Sequence, residues 1–352
     1  MSEHGVRSPV STVGIVVNPW AGKDVRRLHA PVSHTPDTAK VGIVRRVVLG
    51  ALDAGAELVL VAGDAGRIAE RAVRGIDAAC VLDGPGTGSA LDTQRAAAQF
   101  AELGCQIVVV LGGDGTCRDV AMGWPDVVMI PISTGTNNVF PSFLDGSSAG
   151  TAAGLVATGA VAIATVGRRA KRLVVDVRGL GLDVRDIALV DVAVIDEAGV
   201  GARAVVRPER VRGVVSAIAT PISTGLSSIA GRTRPLDRHE PGAVVVHLST
   251  APSTGSRRVR VPILPGAFSV VDVDQVSCLA EGGSVCFGGP GVLAYDGERD
   301  RVLPAGAEAT VSVDRLGPTV VDVGSVLREA AERRLFDEAP TVPINLEATH
   351  GN

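Results

Sequence analysis

Two successive domains, an α/β layer structure followed by a mostly β unit, are predicted by the amino-acid sequence from three observations. Short apolar runs alternate with helix-spaced apolar positions from Val13 to about Ala157. Beyond Ala160 the helical spacing gives way to strand-like runs separated by Gly, Pro and Asp turns, as far as Val323. A length of 352 residues also exceeds what one hydrophobic core usually organises.

The first domain is expected over 11–160. Its strands are read at 13–17, 57–62, 78–82, 106–111 and 127–132, and its helices at 40–53, 65–73 and 89–103, where apolar side chains recur at i, i+3 and i+4. Such alternation argues for a parallel sheet covered by helices, with ligands at the carboxyl ends of the strands. His, Pro, Ser and Thr interrupt the first crossover at 28–37, which reads as a loose segment. The second domain is expected over 161–324, with strands at 173–177, 189–195, 243–248, 258–263, 268–273 and 310–313. Helical spacing resumes at 326–336, giving a helix within 325–338 that returns to the first domain, and a Pro- and acid-containing tail at 339–352 reads as loose.

The most informative local feature is Leu111-Gly112-Gly113-Asp114-Gly115-Thr116, which directly follows the apolar run Ile107-Val108-Val109-Val110. Glycines let the backbone turn sharply and approach a ligand, while a carboxylate and a hydroxyl stand at the turn. A helix opening at 116–122 would direct its free N–H groups at the same turn. Phosphoryl transfer needs held phosphates, charge neutralisation and an acceptor for the alcohol's proton. Gly112, Gly113, Gly115 and Thr116 can hold phosphates, and Asp114 is the natural proton acceptor or magnesium contact.

Hydroxyls and amides recur downstream. Ser133, Thr134 and Gly135, then Thr136, Asn137 and Asn138, follow the next strand. The pentapeptide Pro131-Ile132-Ser133-Thr134-Gly135 reappears unchanged as Pro221-Ile222-Ser223-Thr224-Gly225, one copy per domain, as a nucleotide cleft between domains would use. No G-x-x-x-x-G-K-[ST] motif occurs, which argues against a P-loop ATPase. Gly84-Pro85-Gly86-Thr87-Gly88-Ser89 follows a strand, yet Ser89 stands where a dinucleotide fingerprint needs its third glycine. It reads as a second Gly-rich wall of the cleft. Asp119 suits the site or the helix start equally. Tyr295-Asp296-Gly297-Glu298 reads as a hairpin turn, and Arg168, Arg169, Lys171 and Arg172 as a solvated face at the domain junction.

Composition narrows the partners. A net charge of −4 leaves no electrostatic footprint for nucleic acid or an anionic membrane. No run reaches the roughly 18 apolar residues of a membrane span, and residues 1–10 lack the apolar stretch of a secretory signal. Cys80, Cys105, Cys117, Cys278 and Cys286 are odd in number and scattered, and the histidines have no ligand spacing. The expectation is a soluble, cytoplasmic protein with reduced thiols, no structural metal and small-molecule ligands.

Val13-Gly14-Ile15-Val16-Val17-Asn18-Pro19, the glycine-aspartate loop, Ser133-Thr134-Gly135, and Thr220-Pro221 leading into Thr224-Gly225 resemble, in that order, the NAD kinase superfamily. That superfamily also includes the acetoin-catabolism AcoX group and the diacylglycerol and sphingosine kinases, and the resemblance spans 12–325. It implies a Rossmann-like three-layer α/β domain and a C-terminal β-sandwich with the active site between them. The implied activity is ATP-dependent phosphorylation of NAD at the adenosine ribose 2′-hydroxyl, with Mg²⁺, in a homo-oligomer. Asp114 would then be the base, Asp191 a ribose contact, and Thr220, Thr224 and Gly225 the β-domain side of the nucleotide site. Two departures stand out: Val190 precedes Asp191 where NAD kinases carry an asparagine, and Thr224-Gly225-Leu226-Ser227-Ser228-Ile229 replaces their Thr-Gly-Ser-Thr-Ala-Tyr. Gly135-Thr136-Asn137-Asn138 and the Asp296 turn resemble the lipid-kinase branch. A nucleotide-binding regulator of the AcoX type is the non-enzymatic alternative.

Overall fold

The computed structural model describes residues 10–22, 35–84, 86–135, 138–199, 207–249 and 257–337. The expected tail at 339–352, most of the interrupted first crossover, Thr136 and Asn137 lie outside the described residues.

The first unit is built on β1 (Thr12–Val17), β2 (Leu58–Ala62), β3 (Ala79–Leu82), β4 (Ile107–Gly112) and β5 (Val128–Ser133), parallel and ordered β3-β2-β1-β4-β5. Alternate side chains of each strand enter different cores, which is why these segments read as unbroken apolar runs. Ile15, Val17, Val109 and Leu111 face one core, shared with α1 (Asp37–Asp53), α2 (Ile68–Val73) and α5 (Gly146–Ala157). Val16, Val108 and Val110 face the other, shared with α3 (Ala90–Glu102) and α4 (Asp114–Gly123). Strand order reverses between β1 and β4, and the crevice at such a switch point is where doubly wound sheets bind ligands.

The second unit begins after α6 (Ile163–Val166) and β6 (Gly167–Arg169). β7 (Arg172–Gly179), β8 (Leu182–Ala188), β14 (Ser284–Gly288) and β17 (Glu308–Asp314) form a four-stranded antiparallel sheet. β9 (Asp191–Ile195), β10 (Val211–Ser216), β11 (Ala243–Ser249), β12 (Arg257–Leu264), β13 (Ala267–Leu279), β15 (Gly291–Tyr295) and β16 (Glu298–Leu303) form a seven-stranded one. Leu173, Val175, Val311 and Val313 pack against Val192, Val194, Val215 and Leu293 to make the sandwich core. The larger sheet's other face carries α7 (Ser227–Thr233) through Ile229 and Ala230.

The chain then returns. β18 (Thr319–Val321) lies parallel to β5, β6 flanks β18 antiparallel, and α8 (Val323–Glu332) contributes Val326 and Ala330 to the first core. The α/β sheet therefore has seven strands, two of them drawn from 161–324, the span read as the second domain. Three-residue strands such as Gly167-Arg168-Arg169 carry no periodicity of their own. The two crossings run together, with the Ala170 N–H donating to the Pro318 carbonyl at 2.8 Å and the Gly317 N–H to the Ala170 carbonyl at 3.1 Å. Val139 and Phe140 of the first unit share one apolar cluster with Leu189, Val190 and Ile218 of the second.

Candidate functional site

The switch crevice is bridged by one side chain. Asn18, at the end of β1, donates from Nδ2 to Thr116 Oγ1 at 2.9 Å, and its Oδ1 accepts the Trp20 N–H at 2.8 Å. The Asn18 N–H itself reaches the Leu111 carbonyl at 2.9 Å. Behind this turn the fully buried Lys40 donates from Nζ to the Pro19 carbonyl at 2.7 Å and the Asn18 carbonyl at 3.2 Å. The loop after β1 is thus fastened to the loop after β4, and Thr116 is held in one orientation. Gly112 is required there because a Cβ would collide with the Thr116 side chain. The helix begins at Asp114 rather than Thr116, so the first-turn N–H groups of α4 belong to the glycine loop itself.

Asp114 is 8% exposed. Its Oδ1 accepts the Val139 and Phe140 N–H groups at 3.0 and 2.8 Å, and its Oδ2 accepts the Val139 N–H at 3.1 Å. Ser133 meets Asn138, whose Nδ2 donates to Ser133 Oγ at 2.8 Å. The Thr134 N–H reaches the Gly112 carbonyl at 3.2 Å, which ties the loops after β4 and β5 together. Gly112, Gly113, Asp114, Gly115, Thr116, Ser133, Thr134, Gly135 and Asn138 therefore form one edge of the sheet. Asp119 turns away: Gln94 Nε2 on α3 donates to its Oδ1 at 3.3 Å.

The two units meet at this edge through Arg238 and Arg118, which no motif singled out, with the turn residue Asp296 close to Arg118. Arg238 donates from Nη2 to the Val139 carbonyl at 2.8 Å and from Nη1 to the Phe140 carbonyl at 3.2 Å. The dipeptide whose amides hold Asp114 is thereby gripped on its carbonyl side from the other unit. Arg118 of α4 pairs with Asp186 at 2.6 Å, donates to the Ile187 carbonyl at 2.7 Å and lies 4.8 Å from the Tyr295 ring centroid. Asp296 repeats the Asp114 pattern. Its Oδ1 accepts the Leu189, Val190 and Asp191 N–H groups at 3.0, 2.8 and 3.3 Å, and its Oδ2 the Leu189 N–H at 3.1 Å. Burial pushes the Asp296 carboxyl up from its ordinary range, against the opposing pull of Arg118 and of these amides.

Tyr295-Asp296-Gly297-Glu298 is the hairpin turn between β15 and β16, with Asp296 and Gly297 both at positive φ, and that geometry aims Asp296 at the start of β9. Asp191 is buried there, paired across the ladder with Ser216. Ser216 Oγ and Thr134 Oγ1 are buried without a hydrogen-bond partner among the described residues, a state that a water or a ligand would relieve.

The second copy of the pentapeptide is held differently. The Ser223 hydroxyl donates to the Thr220 carbonyl at 2.8 Å, and the Gly225 N–H to the Pro262 carbonyl at 2.9 Å. Thr220, Thr224 and Gly225 thus lie in a loop folded against β12 and α7, and their bonds stay inside the β unit. Lys171 departs from the solvated face expected of its cluster: it is 2% exposed and donates from Nζ to the Asp237 and Gly242 carbonyls, each at 3.1 Å. Among the described residues no group of three or more His, Cys, Asp or Glu side chains could hold a metal ion, and no helix is long and apolar enough to cross a membrane.

Residues 13–161 match the ATP-NAD kinase N-terminal domain family, and residues 171–316 match the C-terminal domain of acetoin catabolism protein X. The acetoin catabolism protein X of Cupriavidus necator is 34% identical over 340 residues, covering 93% of this chain and 94% of that protein. Yeast NADH kinase, solved in complex with NADH, superposes with a TM-score of 0.54 at 15% identity, over 95% of this chain and 90% of that one, a likeness of fold. A diacylglycerol kinase from Bacillus anthracis aligns over 90% of this chain and 98% of its own at 13% identity, with a TM-score of 0.37.

Proposed function

Because the chain belongs to the acetoin catabolism protein X family within the NAD kinase superfamily, we propose that it is a phosphotransferase acting on NAD. It would bind nucleotide at the β1/β4 switch and move a phosphoryl group from ATP to the 2′-hydroxyl of the adenosine ribose. The observation that carries this reading is the fixed relation of Asp114, Thr116 and Asn18 across the crevice. Donors held before the ligand arrives need no reorganisation during reaction.

In this reading the N–H groups of Gly113, Gly115 and Thr116 hold phosphates at the N-terminus of α4, with the helix dipole favouring their charge. Ser133, Thr134, Gly135 and Asn138 border the same edge, and the roles expected of Thr136 and Asn137 fall outside the described residues. Asp191 meets ribose hydroxyls from the β unit, beside the buried Ser216 hydroxyl, and Thr220, Thr224 and Gly225 close the far side. Asp114 accepts the acceptor hydroxyl's proton. Among the described residues there is no dedicated metal cage, which fits Mg²⁺ entering on the nucleotide's phosphates, with the Asp114 carboxylate to meet it; bound there, it would neutralise their charge. A homo-oligomer accords with this reading.

One observation favours a second reading, a nucleotide-binding regulator without turnover. Three amide bonds already engage Asp114, on a group offering about four lone-pair sites.

The test is NADP formation by the purified protein with NAD, ATP and Mg²⁺, alongside Asp114→Asn and a parallel diacylglycerol assay. Wild type is expected to make NADP, and Asp114→Asn to lose about 10²–10⁴-fold in rate. Asparagine keeps one oxygen for both amides, so the variant should fold. A wild type that binds ATP but phosphorylates nothing supports the regulator, and phosphorylated lipid alone moves the acceptor to the lipid branch.

A further inference from the structure

Trp20 is 57% exposed, although tryptophan usually buries its large apolar ring. Its backbone is not loose. Asn18 links the Trp20 N–H to Thr116 through the two ends of one amide, and the Lys40 ammonium holds the carbonyl of Pro19 immediately before it. The indole faces Gly88, where a Cβ would stand 3.0 Å from the indole Nε1 and where φ is +73°. The Gly-rich wall therefore gives up a side chain at the point where the indole approaches. That wall is itself braced, since Asp92 accepts the Thr87 hydroxyl at 2.8 Å and the Gly88 N–H at 2.7 Å.

These parts lie in line along the carboxyl edge of the sheet. The Gly88 loop follows β3, Trp20 follows β1, and the phosphate cradle follows β4, in the order β3-β2-β1-β4. Adjacent strands are about 4.8 Å apart, so phosphates held at α4 and a base directed across β1 are spanned by one mononucleotide. We propose that Trp20, backed by the Gly88 loop, is the platform on which the purine base of the bound nucleotide stacks. This rests on the nucleotide reading above and deepens it. A flat π-face read by stacking accepts any purine, so the shared chemistry is an adenine ring, whether it arrives on ATP or on NAD.

Calorimetric titration of the intact protein with ATP, NAD and tripolyphosphate, and of Trp20→Ala and Trp20→Phe, decides the matter. Trp20→Ala is expected to weaken ATP, NAD or both by about 5- to 150-fold, the range for losing one base stack, while tripolyphosphate binds unchanged. Whichever adenine nucleotide is weakened is the one whose base the platform holds. Trp20→Phe retains most of the affinity and loses the ligand-induced quenching of indole fluorescence. Undiminished binding of both adenine nucleotides by Trp20→Ala overturns the platform and leaves the nucleotide site standing. Equal weakening of tripolyphosphate also overturns it, since Trp20 would then be supporting the phosphate loop. Wild type that binds none of the three removes the nucleotide reading and the platform together.

Discussion

At the scale of single residues, the position of Asp114 depends on groups more than twenty residues away. Arg238 fixes the Val139–Phe140 dipeptide from its carbonyl side, so Arg238→Ala should release the amides that hold Asp114. Unpairing a buried carbonyl costs roughly 1–3 kcal/mol. Hydrogen exchange at Val139 and Phe140 is accordingly expected to quicken about tenfold or more in that variant, with exchange in β1 and β4 unchanged. Lys171 anchors the loop that carries Arg238. Burial lowers its pKa from 10.5 to about 8, helped by Arg315 and opposed by Asp237, Glu240 and Glu281. Between those values the unfolded chain binds the proton more tightly, so this residue's contribution to stability rises with pH across the window. Lys171→Met should melt several degrees lower at pH 7, and its gap from wild type should widen from pH 8 to 10 in thermal melts. Asp114, Thr116, Ser133 and Asn138 were legible because they follow strands within short motifs. Arg238 and Arg118 were not, because an isolated arginine has no motif; the Asp296 turn was legible as a hairpin, but its hold on Leu189, 107 residues away, was not.

At the scale of elements, α1 and α5 approach closely enough that backbone meets backbone. A Cβ on Gly150 would collide with the Val47 carbonyl oxygen, and one on Gly154 with the Ala51 carbonyl oxygen. Gly150→Ala, a gain in helix propensity by itself, should therefore destabilise by about 1–3 kcal/mol through overpacking, read as a lower denaturation midpoint. The same glycines hid α5 from sequence reasoning, since Gly146-Ser147-Ser148-Ala149-Gly150 contains poor helix formers whose helix is stabilised by its packing. The central strands were easy to locate because both faces are buried. β18 and β6 were invisible because three residues cannot display a period, and they exist only because β5 offers an edge.

At the scale of the whole molecule, the crevice lies where the two units share a core, and α4 belongs to both through its carboxylate and Arg118. Removing 319–337 should do more than shorten the chain: it unpairs the outer edge of β5 and takes Val321, Val323, Val326 and Ala330 out of the first core. The truncated chain is expected to aggregate, and size-exclusion chromatography would report it. The return of β18 and α8 also sets an order of events during synthesis. The α/β unit is discontinuous, with the entire β unit inserted between its penultimate and last pieces. A nascent chain leaving the ribosome can close the β unit first, whereas the α/β unit, although translated earlier, is completed only when the last helix emerges. A chain whose synthesis stopped short would thus lack a finished α/β unit around the Asp114 crevice.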